Sequence, residues 1–86
     1  MSKRRFAILG LGQFGRSLCR NLSELGQEVL AIDVSPKKVE SIRDWVSVAA
    51  VADIRDRVAL GELFTTPFDI AVIAIGGSLA RTYLIK

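Results

Sequence analysis

Six residues near the amino terminus have the types and the spacing of a phosphate-binding turn. The segment Gly10-Leu11-Gly12-Gln13-Phe14-Gly15 has the pattern G-x-G-x-x-G, follows an apolar run, and opens a stretch with helical periodicity. In that setting Gly10 permits a tight turn out of a strand, Gly12 lets the backbone approach a pyrophosphate, and Gly15 lets the helix lie close to the sheet. The first amides of the helix have no partner inside it, so they would point at the phosphates.

An acidic residue stands where the ribose of such a ligand would lie. Asp33 follows Gly15 by eighteen residues, at the end of the apolar segment 28–33. A carboxylate there can accept hydrogen bonds from the ribose hydroxyls of an adenine nucleotide, and its negative charge disfavours a 2′-phosphate. The sequence therefore predicts an adenine nucleotide such as NAD or ATP, with NADP disfavoured. A glycine-rich turn without a ligand is the alternative.

Two further positions have both a structural and a ligand-binding interpretation. Asp53, with Ile54, follows the third apolar segment and either caps the next helix or lies at the rim of the adenine pocket. Gly76 and Gly77 follow the fourth apolar segment, across the crevice from the first turn. They either let the backbone approach the ribose and phosphates or form an ordinary loop.

Four side chains on the helices are assigned mainly structural roles. Arg16 and Arg20, four residues apart, are expected on a solvated helix face, with contact to a phosphate or a neighbouring subunit as the alternative for Arg16. Cys19 is expected to be a small buried helix residue. Trp45 is expected to cover the open end of the second helix.

Composition excludes several classes of protein. The chain has 86 residues, half of them apolar, with one cysteine and no histidine. An internal disulfide and a Ser-His-Asp triad are therefore excluded, and neither a metal site nor a catalytic residue is predicted. Apolar runs such as 70–75 are too short to span a bilayer, which predicts a cytoplasmic protein. The basic cluster 3–5 is expected to be a solvated flank and not a nucleic-acid patch.

The elements that position these residues alternate along the chain. Continuous apolar runs predict strands, recurrences every three or four residues predict helices, and Ser35-Pro36 is a helix-start signal. Strand–helix alternation predicts an α/β fold, a Rossmann-type doubly wound parallel sheet with strand order 3-2-1-4. The predicted strands are 6–9, 28–33, 46–52 and 70–75; the predicted helices are 13–25, one from Ser35-Pro36, 56–64, and one from Ser78.

The apolar pattern of the last predicted helix continues up to Lys86, the last residue. It leaves the predicted fourth strand as an uncovered edge, and such edges are normally covered. We therefore expect residues 1–86 to be part of a longer nucleotide-binding domain, truncated after the fourth strand. We also expect self-association through the fourth strand or the last helix, because a short terminal helix is not stable alone.

The segment 6–18 closely resembles the start of RCK domains, which are nucleotide-binding regulators of potassium channels and transporters of the Trk and Ktr type. The likeness continues through segments 28–33, 52–54 and 70–76, so it covers essentially the whole chain. It implies NAD(H), ATP or ADP as the ligand and a homodimer or ring as the assembly. It also implies a membrane potassium channel or transporter subunit as the partner, at the inner face of the plasma membrane.

By position, the resemblance also assigns the residues that line the nucleotide. Members that respond to ATP often have arginine where Gln13 stands, and glutamine there is more similar to the NAD-associated members, so both ligands stay open. The assigned residues are Gly10, Leu11, Gly12, Gln13, Phe14, Gly15, Asp33, Val34, Ser35, Asp53, Ile54, Ile75, Gly76 and Gly77.

The competing hypothesis is the amino-terminal cofactor part of an NAD-dependent dehydrogenase. That enzyme would need a substrate domain and a proton-transfer residue, and neither is found in this sequence. We therefore expect a regulatory module of a potassium uptake system and not an enzyme.

Overall fold

The computed structural model describes residues 3–65, 68–74 and 81–84. Strands and helices alternate as the sequence predicts, and none of the helices in these ranges is long and apolar enough to span a membrane. The elements are β1 (Arg5–Leu9), α1 (Gln13–Glu24), β2 (Glu28–Asp33), α2 (Pro36–Ile42), a 3₁₀ helix (Arg43–Trp45), β3 (Val48–Val51), α3 (Arg57–Leu63), β4 (Ile70–Ile73) and β5 (Arg81–Leu84).

One sheet with the strand order β3-β2-β1-β4-β5 organises the chain. β1 pairs in parallel with both β2 and β4, and β2 pairs in parallel with β3, which confirms the predicted order 3-2-1-4. Since these four strands are parallel, their carboxyl ends meet at one edge. That edge holds the glycine turn after Leu9 and the carboxylate of Asp33, and ligands of open α/β sheets bind at such edges.

Apolar side chains cover the sheet on both faces. Ile8 and Val29 belong to a buried cluster with residues of α1 and α2. Leu9 and Ile32 belong to a second buried cluster, against which Leu60 of α3 packs. Successive residues of a strand point to opposite faces, so continuous apolar strands bury both sides and the sheet is doubly wound as predicted.

Helix α1 buries only part of the apolar stripe that its periodicity predicts, which consists of Phe14, Leu18, Leu22 and Leu25. Its buried residues are Gly15, Cys19 and Leu22, whereas Phe14 is 42% exposed and Leu25 is 60% exposed. The close approach of the helix to the sheet favours small residues at the contact, which centres the buried stripe on glycine and cysteine. The expected burial of Cys19 is confirmed, and desolvation raises the pKa of its thiol to about 12.

The last described segment is a strand, where the sequence predicts a helix. β5 pairs antiparallel with β4, with Ile70 opposite Leu84 and Ile73 opposite Arg81. Only residues 74–80 connect the two strands, and a parallel return needs a crossover of a dozen or more residues. The edge of β4 is therefore covered, which corrects the predicted open edge and removes the basis for self-association through it. The predicted helix start at Ser78 lies outside the described residues.

Candidate nucleotide-binding site

Gly10 makes the turn that leads out of the first strand. Its φ of 106° lies in the left-handed region, where glycine is favoured over residues that carry a Cβ atom. Its amide donates to the carbonyl of Ile32 at 2.8 Å, which holds the start of the turn against the neighbouring strand. The backbone is thereby redirected into α1 directly above the sheet edge.

Gly15 allows the first turn of α1 to lie on that loop. A Cβ atom at Gly15 would be 1.9 Å from the carbonyl oxygen of Gly10, far inside van der Waals contact. It would also be 3.6 Å from the Cβ of Ala74, which follows β4. Glycine is therefore required at this position for close contact between the helix and the loop.

Gly12 has open space beside its Cα atom, as a phosphate site requires. A Cβ atom built there meets no atom within 4 Å, and no side chain caps α1 at this residue. The first helical bond runs from the amide of Arg16 to the carbonyl of Gly12 at 2.9 Å, so the amides of residues 13–15 have no partner inside the helix. With no acidic residue in the first turn, the partial positive charge of this helix end is not neutralised by the helix itself.

Asp33 connects the glycine turn to the start of the second helix. Its Oδ2 accepts from the amide of Leu11 at 2.7 Å, and its Oδ1 accepts from the amide of Ser35 at 2.8 Å. Each carboxylate oxygen has a second lone pair, so both can still accept from a ribose hydroxyl. The bond to Ser35 is an Asx turn, which the Asp-x-Ser spacing indicates, but sequence reasoning missed the bond to Leu11.

Asp53 does not cap the third helix, which corrects the structural interpretation of this residue. The cap of α3 is Asp56, whose side chain accepts from the amides of Val58 and Ala59 at 3.1 Å each. Asp53 accepts instead from the amide of Arg55 at 2.9 Å and from its guanidinium at 2.8 Å. These bonds lower the pKa of Asp53 to about 2, so its carboxylate is ionised at neutral pH.

A small cavity of about 90 Å³ lies where the first three strands end. It brings together residues that are far apart in the sequence, among them Asp33 and Asp53. Val34, which is 66% exposed, and Ile54 supply apolar surface of the kind on which a base can rest. The cavity is lined by Gly10, Asp33, Val34, Ala52, Asp53 and Ile54.

The predicted site residues therefore divide into those that the structure describes and those that lie outside the described residues. The structure places the turn 10–15, the segment 33–35 and the pair 53–54 at the same sheet edge. Gln13 and Gly12 also line a second cleft, between α1 and α2. Ile75, Gly76 and Gly77 lie outside the described residues. Sequence reasoning missed Arg55, which brings a cation to the rim of the cavity through its bond to Asp53.

The parallel sheet, the glycine turn and the acidic residue after β2 define a Rossmann-type nucleotide-binding domain. A family model described as the TrkA-N domain matches residues 6–85. The chain belongs to the TrkA-N family, which confirms the resemblance to RCK domains of the Trk and Ktr type.

Two proteins to which the chain is similar are potassium uptake proteins. The chain is 39% identical over 82 residues to the Ktr system potassium uptake protein C of Bacillus subtilis, covering 95% of this chain and 37% of that protein. It is 32% identical over 84 residues to the Ktr system potassium uptake protein A of the same organism, covering 98% of this chain and 38% of that protein. The chain thus spans little more than a third of the length of these relatives.

A shorter match involves an enzyme. The chain is 41% identical over 46 residues to a 5-formyl-3-hydroxy-2-methylpyridine 4-carboxylate 5-dehydrogenase of Mesorhizobium japonicum. That match covers 54% of this chain and 15% of the enzyme.

Proposed function

We propose that this chain is a regulatory nucleotide-binding module of a potassium uptake system, with NAD(H), ATP or ADP as its ligand. The observation that carries the proposal is the sheet edge itself. The open side of Gly12, the unpartnered amides of residues 13–15 and the carboxylate of Asp33, which accepts from the amide of Leu11, all lie at this edge. The names of the two Bacillus relatives support the transport system, since both are potassium uptake proteins.

The residues fit an adenine nucleotide in one orientation. The amides of residues 13–15 would hold the pyrophosphate, because they are free of helical partners and Gly12 leaves room for its oxygens. The lone pairs left on Asp33 would accept from the ribose hydroxyls. The cavity beside Val34 and Ile54 would hold the edge of the adenine.

A bound nucleotide would regulate a partner by fixing the positions of several elements of the domain at once. Asp33 is bonded to the loop before α1 and to the start of α2, so a nucleotide on Asp33 would fix the relative positions of both helices. A change of that kind can be transmitted to a partner whose surface includes those helices. The proposed partners are other copies of the chain, in a homodimer or ring, and a membrane potassium channel or transporter subunit. The proposed location is the cytoplasmic face of the plasma membrane.

A second candidate function is the cofactor domain of an NAD-dependent dehydrogenase, and the shorter match to a dehydrogenase supports it. The two candidate functions differ in what happens to the bound nucleotide. A regulator binds its nucleotide reversibly and returns it unchanged. A dehydrogenase oxidises or reduces it when a substrate is supplied.

Equilibrium titration of the protein with NADH, NAD, ATP, ADP and NADPH tests the proposed function. We expect saturable binding of at least one of the first four and weaker binding of NADPH, because Asp33 repels a 2′-phosphate. If none of the five nucleotides binds, the proposal is wrong.

Replacing Asp33 by alanine should weaken adenine-nucleotide binding by about tenfold or more, because charge-assisted hydrogen bonds contribute about 1.5–3 kcal/mol each. The preference against NADPH should also narrow, since the repelling charge is lost. Calorimetric titration with NADH and NADPH measures both effects. Glu62→Ala is the matched control, because Glu62 is an exposed acid on α3, outside the cavity. Equal affinities for wild type and Asp33→Ala would remove Asp33 from the site.

Replacing Gln13 by arginine should raise the affinity for ATP relative to that for NADH. Gln13 is exposed in the first turn of α1, and a cation there gains most from the more highly charged phosphate chain. Asn21→Arg adds the same charge at the other end of α1 and serves as the control. Parallel titrations with the two nucleotides give the ratio of dissociation constants. An unchanged ratio would show that this position does not face a terminal phosphate.

A further inference from the structure

A second cleft opens beside the glycine turn, between α1, α2 and the 3₁₀ helix. Its volume is about 610 Å³, and it shares Gly12 and Gln13 with the candidate nucleotide site. None of the residues that line it is acidic, and three are basic. The basic residues are Arg16, Arg20 and Lys38, and Trp45 also contributes to the lining.

The fold itself brings the three cations together. Arg16 and Arg20 are four residues apart on α1, so their side chains leave the same face of the helix. Lys38 lies in the first turn of α2, which packs beside α1 on the same side of the sheet. Like charges at this spacing destabilise a helix unless an opposite charge is placed between them.

Among the described residues, only one of the three basic side chains of the cleft has an acidic partner. The Nε of Arg20 lies 3.2 Å from Oε1 of Glu24, and its guanidinium carbon is 5.7 Å from the centre of the Trp45 ring. Arg16 and Lys38, in contrast, form no ion pair with any residue in the described ranges. Two positive charges in the cleft are therefore available to a ligand.

The cleft also begins at the positive end of a helix. The amides of residues 13–15 have no helical partner, and neither a capping side chain nor an acidic residue compensates the first turn of α1. Guanidinium groups present forked donors that match phosphate oxygens, and an ammonium group adds a point charge. The proposed function assigns those amides to the pyrophosphate, and the basic side chains beside them fit a further group with several negative oxygens.

We propose that the cleft binds a phosphate group, at a position separate from the pyrophosphate position on the glycine turn. Arg16 and Lys38 are its principal contacts, and Arg20 is the third. As a site for the third phosphate of ATP it rests on the proposed function, and as a site for free phosphate it goes beyond that function. The phosphate group is either the third phosphate of a bound nucleoside triphosphate or free inorganic phosphate, and the two sources share the same chemistry.

Trp45 provides a direct test, since it is the only tryptophan of the chain and lines the cleft. The protein is titrated with inorganic phosphate at constant ionic strength, with chloride as the reference salt, and Trp45 fluorescence is recorded. We expect a saturable change in wild type, weakened by about tenfold in Arg16→Gln/Lys38→Gln, since charge-assisted contacts to phosphate are lost. Lys37→Gln/Arg57→Gln removes the same charge at exposed positions outside the cleft and should behave as wild type.

Calorimetry with ATP and ADP separates the two sources. A loss of ATP affinity in the cleft variant with unchanged ADP affinity assigns the site to the third phosphate of the nucleotide. A lost phosphate response with both nucleotide affinities unchanged assigns it to free phosphate. The proposal is overturned if the cleft and control variants give the same affinities for phosphate and ATP. It is also overturned if phosphate gives no response while ATP and ADP lose affinity equally, because long-range charge then explains the loss.

Discussion

Replacing Gly12 by alanine is expected to abolish nucleotide binding and to leave the protein folded. The backbone of Gly12, at φ −70° and ψ −170°, is extended and open to any residue, and a Cβ atom meets nothing within 4 Å. In the complex, the methyl group would occupy the space that a phosphate oxygen needs. Losing two charge-assisted bonds of about 1.5–3 kcal/mol each lowers the affinity roughly 100-fold or more.

Gly61 offers the matched control for that substitution. It also has nothing within 4 Å of a built Cβ, but it lies in α3, away from the glycine turn. Gly61→Ala should keep full ADP affinity and raise the free energy of unfolding by about 0.5–1 kcal/mol, because alanine is the better helix former. Calorimetric titration with ADP and urea unfolding measure both quantities. Wild-type ADP affinity in Gly12→Ala would mean that the phosphates do not lie on this turn.

Replacing Gly15 by alanine, unlike the substitution at Gly12, should greatly lower the free energy of unfolding. Its Cβ would lie 1.9 Å from the carbonyl oxygen and 3.0 Å from the carbonyl carbon of Gly10, and backbone atoms cannot rotate away. The helix must therefore move off the turn, at a cost of about 3 kcal/mol, near the upper end for overpacking. The free energy of unfolding of a domain of this size is roughly 4–13 kcal/mol, so this loss is a large fraction of it.

Urea unfolding of Gly15→Ala beside Gly12→Ala checks this expectation. The two variants add the same methyl group three residues apart, so their difference isolates the contact between α1 and the loop. Nucleotide affinity should fall in both, in Gly15→Ala because the amides of the first turn are displaced. A wild-type free energy of unfolding for Gly15→Ala would contradict the close packing of α1 on Gly10.

Much of this site could be predicted because its parts are encoded locally. The glycine spacing and the apolar run before it place the turn, and Asp33 ends a strand whose bounds the sequence predicts as found. Ser35 caps α2 as expected, since its side chain accepts from the amide of Lys38 at 3.3 Å. Each of these features depends on a few neighbouring residues, and parallel pairing then places them at one edge.

The features that sequence reasoning missed depend on distant contacts or on competition between similar residues. The bond from Leu11 to Asp33 joins residues that only the pairing of β1 with β2 brings together. Asp53 and Asp56 are equally good caps by type, and the structure shows Asp53 bound to Arg55 while Asp56 caps α3. The exposure of Phe14 follows from the depth at which Gly15 lets α1 lie, which periodicity alone does not give.

An NMR titration of backbone amides with ADP tests most directly whether an adenine nucleotide binds at the carboxyl edge of the sheet. ADP contains the part that NAD and ATP share, so the result does not depend on which of them is the natural ligand. We expect saturable shifts that are largest at the amides of residues 12–15 and of Ser35. The opposite edge has its own cavity, of about 220 Å³, whose lining includes Glu28, Ser47 and Phe68. No saturable shift, or the largest shifts around that cavity, would show that the nucleotide does not bind at the carboxyl edge.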